Sequence, residues 1–387
     1  MKVFLDHAST TPVRASALEA LNQALIKIGN PSSVHSHGQS ARAELEDARD
    51  DLAKAVGCNR SEVVFNSGGT ESNNQAIKGL FWTRNKDRDR KVIVSAATEH
   101  HALLDPIEWL VEHESARLEL VRVKSSGMVD IEYLAELVEL HGEDIALISL
   151  MWVNNETGVI TDIPSVCKIA GAIPVHSDAV AALGHVPIDF ASSGLTAMSV
   201  SGHKVGAPIG VGALIVARAA KPVSLLHGGG QERGLRSGTM NYPMAKAFSV
   251  AALEAVKEMP ARQAALKELR DEFEQRVLDA IPSAKRSAEG AERAEHNSNL
   301  IFPGTKSDSL LFLLDQQGLS VSSGSACQAG VLGPSHVLFG MGHSEQDASA
   351  CLRVTLGHTT TRADIEFAVS AIINAHAPAL AASSIAS

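Results

Sequence analysis

Ser199-Val200-Ser201-Gly202-His203-Lys204 is the stretch on which the reading of this chain turns. An apolar run with Leu195, Met198 and Val200 leads into it. Lys204 then stands at the mouth of a Gly/Pro-rich turn, Val205-Gly206-Ala207-Pro208-Ile209-Gly210, and a second apolar run follows over 211–217. The pattern predicts two strands with a lysine after the first. A lone lysine there is ordinarily a solvated surface charge. Upstream, however, Asp178 ends another strand-like run, Ile173-Pro174-Val175-His176-Ser177-Asp178.

An aspartate followed by Ser-x-His-Lys suits pyridoxal phosphate. The lysine amine forms a Schiff base with the aldehyde. The buried carboxylate pairs with the pyridinium nitrogen, so that the ring acts as an electron sink. Further signals fall around this pair. Val63-Val64-Phe65 reads as a strand leading into Asn66-Ser67-Gly68-Gly69-Thr70-Glu71 and a helix, an arrangement that cradles phosphate through backbone N–H groups and the threonine hydroxyl. Lys91–Ser95 is a strand ending near His100, which could stack on a flat ring or simply cap the next helix. The apolar run 145–153 has the composition of a strand buried on both faces and delivers Asn154-Asn155-Glu156 to its end. Strands and helices alternate from about 60 to 217, which predicts an α/β, mostly parallel sheet. Gly69, Thr70, His100, Asn155 and Asp178 all follow strand C-termini, the edge where open α/β sheets bind ligands.

Length and composition set the frame. The chain has 387 residues, enough for two domains, with 45% apolar and 20% charged residues. Its net charge of −10 argues against a nucleic-acid partner. It has no uninterrupted apolar run of membrane-spanning length and no signal-peptide pattern at Met1–Asp6, so a cytoplasmic location without a membrane partner is expected. Cys58, Cys167, Cys327 and Cys351 are scattered, without metal-ligand spacing or a disulfide pattern.

The remaining stretches carry fewer signals. The Gly-rich segment 227–241 holds Arg233 and Arg236 and is expected to offer anion contacts, including to a neighbouring subunit's cofactor. A helix pair is expected over 242–280, parted at Pro260, where the chain passes to a second domain. In that domain Ser323-Gly324-Ser325-Ala326-Cys327 forms a small-residue loop whose thiol is expected to be reactive. Arg353, in an apolar strand, requires an anion, and a substrate carboxylate would serve. The last helix is expected over 364–376, with a frayed tail at 377–387.

Taken together, these residues resemble the cysteine desulfurases of the NifS/IscS type, within the class V aminotransferases and the fold-type I pyridoxal-phosphate enzymes. The similarity runs from Leu5-Asp6-His7-Ala8-Ser9-Thr10-Thr11-Pro12 to about Gly357. The resemblance implies a large, mostly parallel seven-stranded sheet domain over 13–258. It implies a smaller α+β domain from 1–12 and 259–376 that carries the Cys327 loop. By position, Lys204 would be the Schiff-base lysine, Asp178 the partner of the pyridine nitrogen, and His100 the residue stacked on the ring. Gly69, Thr70, Ser201 and His203 would hold the phosphate, with Thr239 reaching it from the partner of a homodimer. Asn155 would contact cofactor and substrate, and Arg353 the substrate carboxylate. Cys327 would carry sulfur from L-cysteine as a persulfide to an acceptor or iron–sulfur scaffold protein. No metal site is expected, apart from Cys327 sharing a scaffold-bound cluster. Selenocysteine lyase and a low-activity docking subunit are the alternatives.

One departure from the family stands out. The family has Gln three residues after the aspartate, hydrogen-bonding the cofactor's phenolic oxygen. Asp178-Ala179-Val180-Ala181 has alanine there, and the spacing to Gly184 is kept. A donor ordinarily worth ~1–2 kcal/mol is lost. A shifted Schiff-base pKa and lower activity are expected.

Overall fold

The structure, a computed structural model, describes residues 2–324 and 333–385. In chain order its strands are β1 (Val3–Phe4), β2 (Val63–Asn66), β3 (Val92–Ala96), β4 (Arg117–Val121), β5 (Ile145–Ser149) and β6 (Val175–Asp178). They continue with β7 (Ala197–Ser201), β8 (Gly212–Val216), β9 (Lys285–Arg286), β10 (Asn297–Ile301), β11 (Leu319–Ser320) and β12 (Cys351–Thr355).

Seven of these form one sheet in the order β2-β8-β7-β6-β5-β3-β4. The pairs from β7 through to β4 are parallel, and β8 runs antiparallel to both β7 and β2. Every residue of β3, β5, β6 and β7 is buried, as parallel strands with helices on both faces require. The edge strand β4 is half exposed. β10 pairs with both β9 and β12 in a separate antiparallel sheet, and β1 pairs in parallel with β11. The N-terminal residues are thereby tied to the second half of the chain.

The crossover helices carry the local signals that define their ends. Ser36–Val56 stops at Gly57, whose φ of 65° is the left-handed cap conformation. The helices Ile131–His141 and Ile163–Ala170 are capped by Asp130 and Asp162, whose carboxylates accept from Tyr133 N–H and Ser165 N–H.

Two expectations give way. The helix Tyr242–Ala280 is continuous through Pro260. Proline there withholds one N–H from the Val256 carbonyl, a local cost. The flanking turns hold the helix because each has its own core to bury against. Tyr242, Phe248 and Ala255 pack on the large sheet, and Leu266, Phe273 and Val277 on the small one. The hydrophobic cores therefore divide partway along a single helix.

The last helix runs Arg362–Ile385, well past the point where fraying was expected. Ala379 is fully buried, and Leu380 lies over Gly304, where a Cβ would meet its Cδ1 at 2.9 Å. Residues 362–383 of this helix, with mean hydropathy 1.4, are long and apolar enough to cross a membrane. Their buried face (Ile365, Ala368, Val369, Ile372, Ala375 and Ala379) instead belongs to the small core. Because this packing reaches beyond residue 376, Ala379→Asp is expected to lower stability by about 2–4 kcal/mol through burial of an unpaired carboxylate. Urea denaturation measures this, and an unchanged midpoint would return the tail to a frayed state.

Candidate active site

Five loops leave the C-terminal ends of β2, β3, β5, β6 and β7 and close around a cavity of about 330 Å³. Gly69, Thr70, His100, Asn155, Asp178, Ser201, His203, Lys204 and Arg353 all line it. The site residues expected from sequence are thus brought together, with two exceptions. Thr239 is exposed and lines a separate cavity with Asn66 and Gly210. Cys327 lies outside the described residues.

Lys204 ends the short turn that follows β7. Its Nζ donates to the carbonyl of Ala8 and, at 2.9 Å, to that of Ser9, both from the N-terminal segment. Asp178 ends β6 and is 6% exposed. Its Oδ2 accepts from Asn73 Nδ2 at 2.6 Å, and its Oδ1 from the Val180 N–H at 2.9 Å. These two donors hold a buried carboxylate in place while it borders the cavity. Sequence reasoning missed Asn73. It sits one helical turn beyond Gly69, on the same face, and that spacing was the available signal.

His100 proves to be both a helix cap and a cavity residue. Its Nδ1 accepts from the Ala102 N–H at 3.0 Å, which leaves Nε2 to carry the proton of the neutral ring. Burial lowers its pKa, and the nearby charge of Lys204 lowers it further against the opposing pull of Asp178. Burial, and then Lys204, push His203 down to about 4. Both imidazoles are therefore neutral near pH 7.

The phosphate-cradle expectation has a steric basis. The helix Gly69–Arg84 starts at the cavity, so its first N–H groups have no partner within the helix. A Cβ on Gly69 would meet Val180 Cγ2 at 2.7 Å. One on Gly212, in β8, would meet Gly68 Cα at 2.6 Å, so the loop before the helix lies directly on the neighbouring strand.

Arg353 is corrected in one respect. The anion it requires is present in the chain, because Nη2 pairs with Asp6 Oδ1 at 2.9 Å. Its Nη1 donates to the Asn155 carbonyl at 2.9 Å. An arginine in this strand therefore does not by itself call for a ligand. What points to one is that Arg353 Nε and Asn155 Oδ1 are buried without hydrogen-bond partners, on two residues that line the cavity.

These features fit pyridoxal phosphate. An amine and a buried carboxylate border one small cavity, a glycine-lined helix start offers N–H groups to an anion, and two polar atoms are left unsatisfied at its wall. Ala181 lines the same cavity, so the departure from the family lies within the site. The 325–332 segment is flanked by residues close to this wall. Ser322 and Arg353 exchange both backbone hydrogen bonds, and a Cβ on Gly324 would meet the Glu156 carboxylate at 2.6 Å.

Comparison with known proteins agrees with this geometry. Residues 3–367 match the model of the aminotransferase class-V family. The chain is 44% identical to an IscS-like cysteine desulfurase of Mycobacterium tuberculosis, with 98% of each chain covered. It is 38% identical to the cysteine desulfurase IscS of Dictyoglomus turgidum, covering 96% of this chain and 93% of that one. Among solved structures, a NifS-like protein superposes with a TM-score of 0.89 at 30% identity, over 97% of this chain and 99% of the other. The protein belongs to the class V aminotransferases, a family of pyridoxal-phosphate-dependent enzymes.

Proposed function

We propose that the chain is a cysteine desulfurase that converts L-cysteine to L-alanine and passes the sulfur to Cys327. The observation that carries this reading is the convergence of Lys204, Asp178, His100, Asn155 and Arg353 on one cavity. The 44% identity to an IscS-like cysteine desulfurase supports it.

When bound, pyridoxal phosphate supplies an electron sink for negative charge at the substrate's α-carbon. The chain's own groups would do the rest. Asp178, held by its two N–H donors, is placed to pair with and stabilise a protonated ring nitrogen. Arg353 Nε and Asn155 hold the substrate carboxylate and orient the α-carbon. Lys204 Nζ, released from the Ala8 and Ser9 carbonyls, takes the α-proton, and the His100 Nε2–H is placed to donate to a group over the cavity. The Cys327 thiolate attacks the substrate sulfur. An S–S bond forms as the C–S bond breaks, and the electron pair of that bond stays with the β-carbon, which is protonated to the methyl group of alanine. The product on the enzyme is a persulfide, which a sulfur acceptor or iron–sulfur scaffold protein would accept.

We further propose a homodimer in the cytoplasm. Leu25, Ile26, Ile28 and Val34 are all exposed. They adjoin the 229–242 segment, where the Tyr242 hydroxyl donates to the Lys27 carbonyl and Pro31 shares a cavity with Gly229 and Met240. A partner chain covering this apolar surface would bring Thr239 to its own cofactor phosphate.

Purified yellow protein is expected to release alanine from L-cysteine and to carry a persulfide on Cys327. Cys327→Ser is expected to abolish persulfide formation while keeping the cofactor colour, and Lys204→Ala to abolish turnover. Alanine assay and thiol-labelling mass spectrometry read these outcomes, and turnover that survives Cys327→Ser would sink the sulfur-transfer assignment. Ala181→Gln restores a donor worth ~1–2 kcal/mol. It is expected to shift the pH titration of the cofactor's visible band by about one unit and to raise turnover by up to about tenfold. An unshifted band would show that position 181 does not reach the cofactor.

A further inference from the structure

Behind Ala181, outside the residues assigned above, lies a buried cluster of His185, Glu295 and His296. His185 lies within the loop that runs from Asp178 to the helix at Phe190, whereas Glu295 and His296 immediately precede β10 in the second half of the chain. Their ligand atoms all lie within 4.8 Å of one another. His296 is 4% and Glu295 7% exposed, and His185 is half-buried. His185 Nδ1, Glu295 Oε1 and His296 Nδ1 are all buried without a hydrogen-bond partner. Three unsatisfied polar atoms at one point call for an occupant, either water or an ion.

We propose that His185, Glu295 and His296 form a site for a divalent transition-metal cation of the zinc class. The donor set is two imidazole nitrogens and one carboxylate oxygen, a combination that binds zinc with a fourth position left for water. His185 Nδ1 and Glu295 Oε1 are 3.5 Å apart. That is too long for a good hydrogen bond. It is close to the ~3.3 Å edge between two ligands of a tetrahedral zinc with bonds of ~2.0–2.1 Å. The two imidazoles stack with centroids 3.5 Å apart. Closing the shell therefore requires His296 to rotate, and its Nδ1 has no hydrogen bond to give up. A cavity of about 20 Å³ lies beside His185, and one of about 10 Å³, near the smallest that holds a water, borders both His185 and His296.

The electrostatics are compatible with a cation. Burial holds His185 down to about 3 and His296 well below the usual imidazole range, so both present the neutral, ligating form. Arg14 and Arg262 lie nearby, but both are paired with Glu258, and Arg14 also with Glu254. A bound ion would join the loop below the cofactor cavity to the small core and would neutralise the buried Glu295.

The test is equilibrium dialysis of the holoenzyme against micromolar zinc, with its thiols alkylated so that cysteines do not contribute. Elemental analysis is expected to find one zinc per wild-type chain, and the thermal midpoint to rise with zinc concentration. His185→Gln and Glu295→Gln, at one half-exposed and one buried position, are expected to weaken binding by more than the ~10–100-fold that loss of an outer-shell partner costs. Unchanged cofactor absorbance would show that these variants remain folded. Zinc-free wild-type protein, or binding that is equal in all three proteins, would overturn the proposal and leave the three groups to bound water.

Discussion

A carboxylate at the end of a fully buried parallel strand is costly unless its lone pairs are satisfied, and Asp178 is such a group. Its two donors come from different parts of the chain. The Val180 N–H belongs to its own turn, and Asn73 Nδ2 belongs to the helix after β2. The second bond spans the sheet, because β2 stands at one edge and β6 lies three places inward, past β8 and β7. Satisfying Asp178 therefore fixes the helix that starts at Gly69 against the loop after β6, and this sets the width of the cavity. The cofactor site depends on that constraint. With Asn73 absent, Asp178 would keep only the Val180 N–H as a donor.

The second half of the chain completes the site through charge. Arg353 in β12 reaches Asp6 near the N-terminus and the carbonyl of Asn155 after β5. The N-terminal segment in turn supplies the carbonyls that hold Lys204. Three remote stretches therefore meet at one wall. The helix Tyr242–Ala280 connects the cores behind this wall, its first half committed to one and its second half to the other. Its continuity through Pro260 reflects a balance of terms. One missing hydrogen bond is outweighed by burial of side chains such as Phe248 and Phe273, each worth roughly 1.5–3 kcal/mol.

Much of this was legible in the sequence, for a specific reason. Parallel strands buried on both faces appear as continuous apolar runs, and each is followed by a polar or glycine-rich loop at the ligand-binding edge. Asp178, Lys204, Gly69 and His100 were found because each stands just past such a run. The dual role of His100 was not decidable from the chain, since a cap and a cavity residue share the same sequence context. Asn73 was overlooked because its partner is remote in sequence. The anion for Arg353 was assigned to a ligand because Asp6 is far away in the chain.

The amino-acid sequence by itself determined the order of strands and helices, the positions of the strand-end residues and the alanine at 181. These follow from local periodicity and from residue type at a given spacing, which are properties of short segments. Only the tertiary structure decided that Arg353 pairs with Asp6, that Pro260 lies within one helix, and that residues beyond 376 pack on the small core. The same holds for the meeting of His185 with Glu295 and His296. Each of these depends on contacts between segments far apart in the chain, where burial and charge pairing outweigh local propensity.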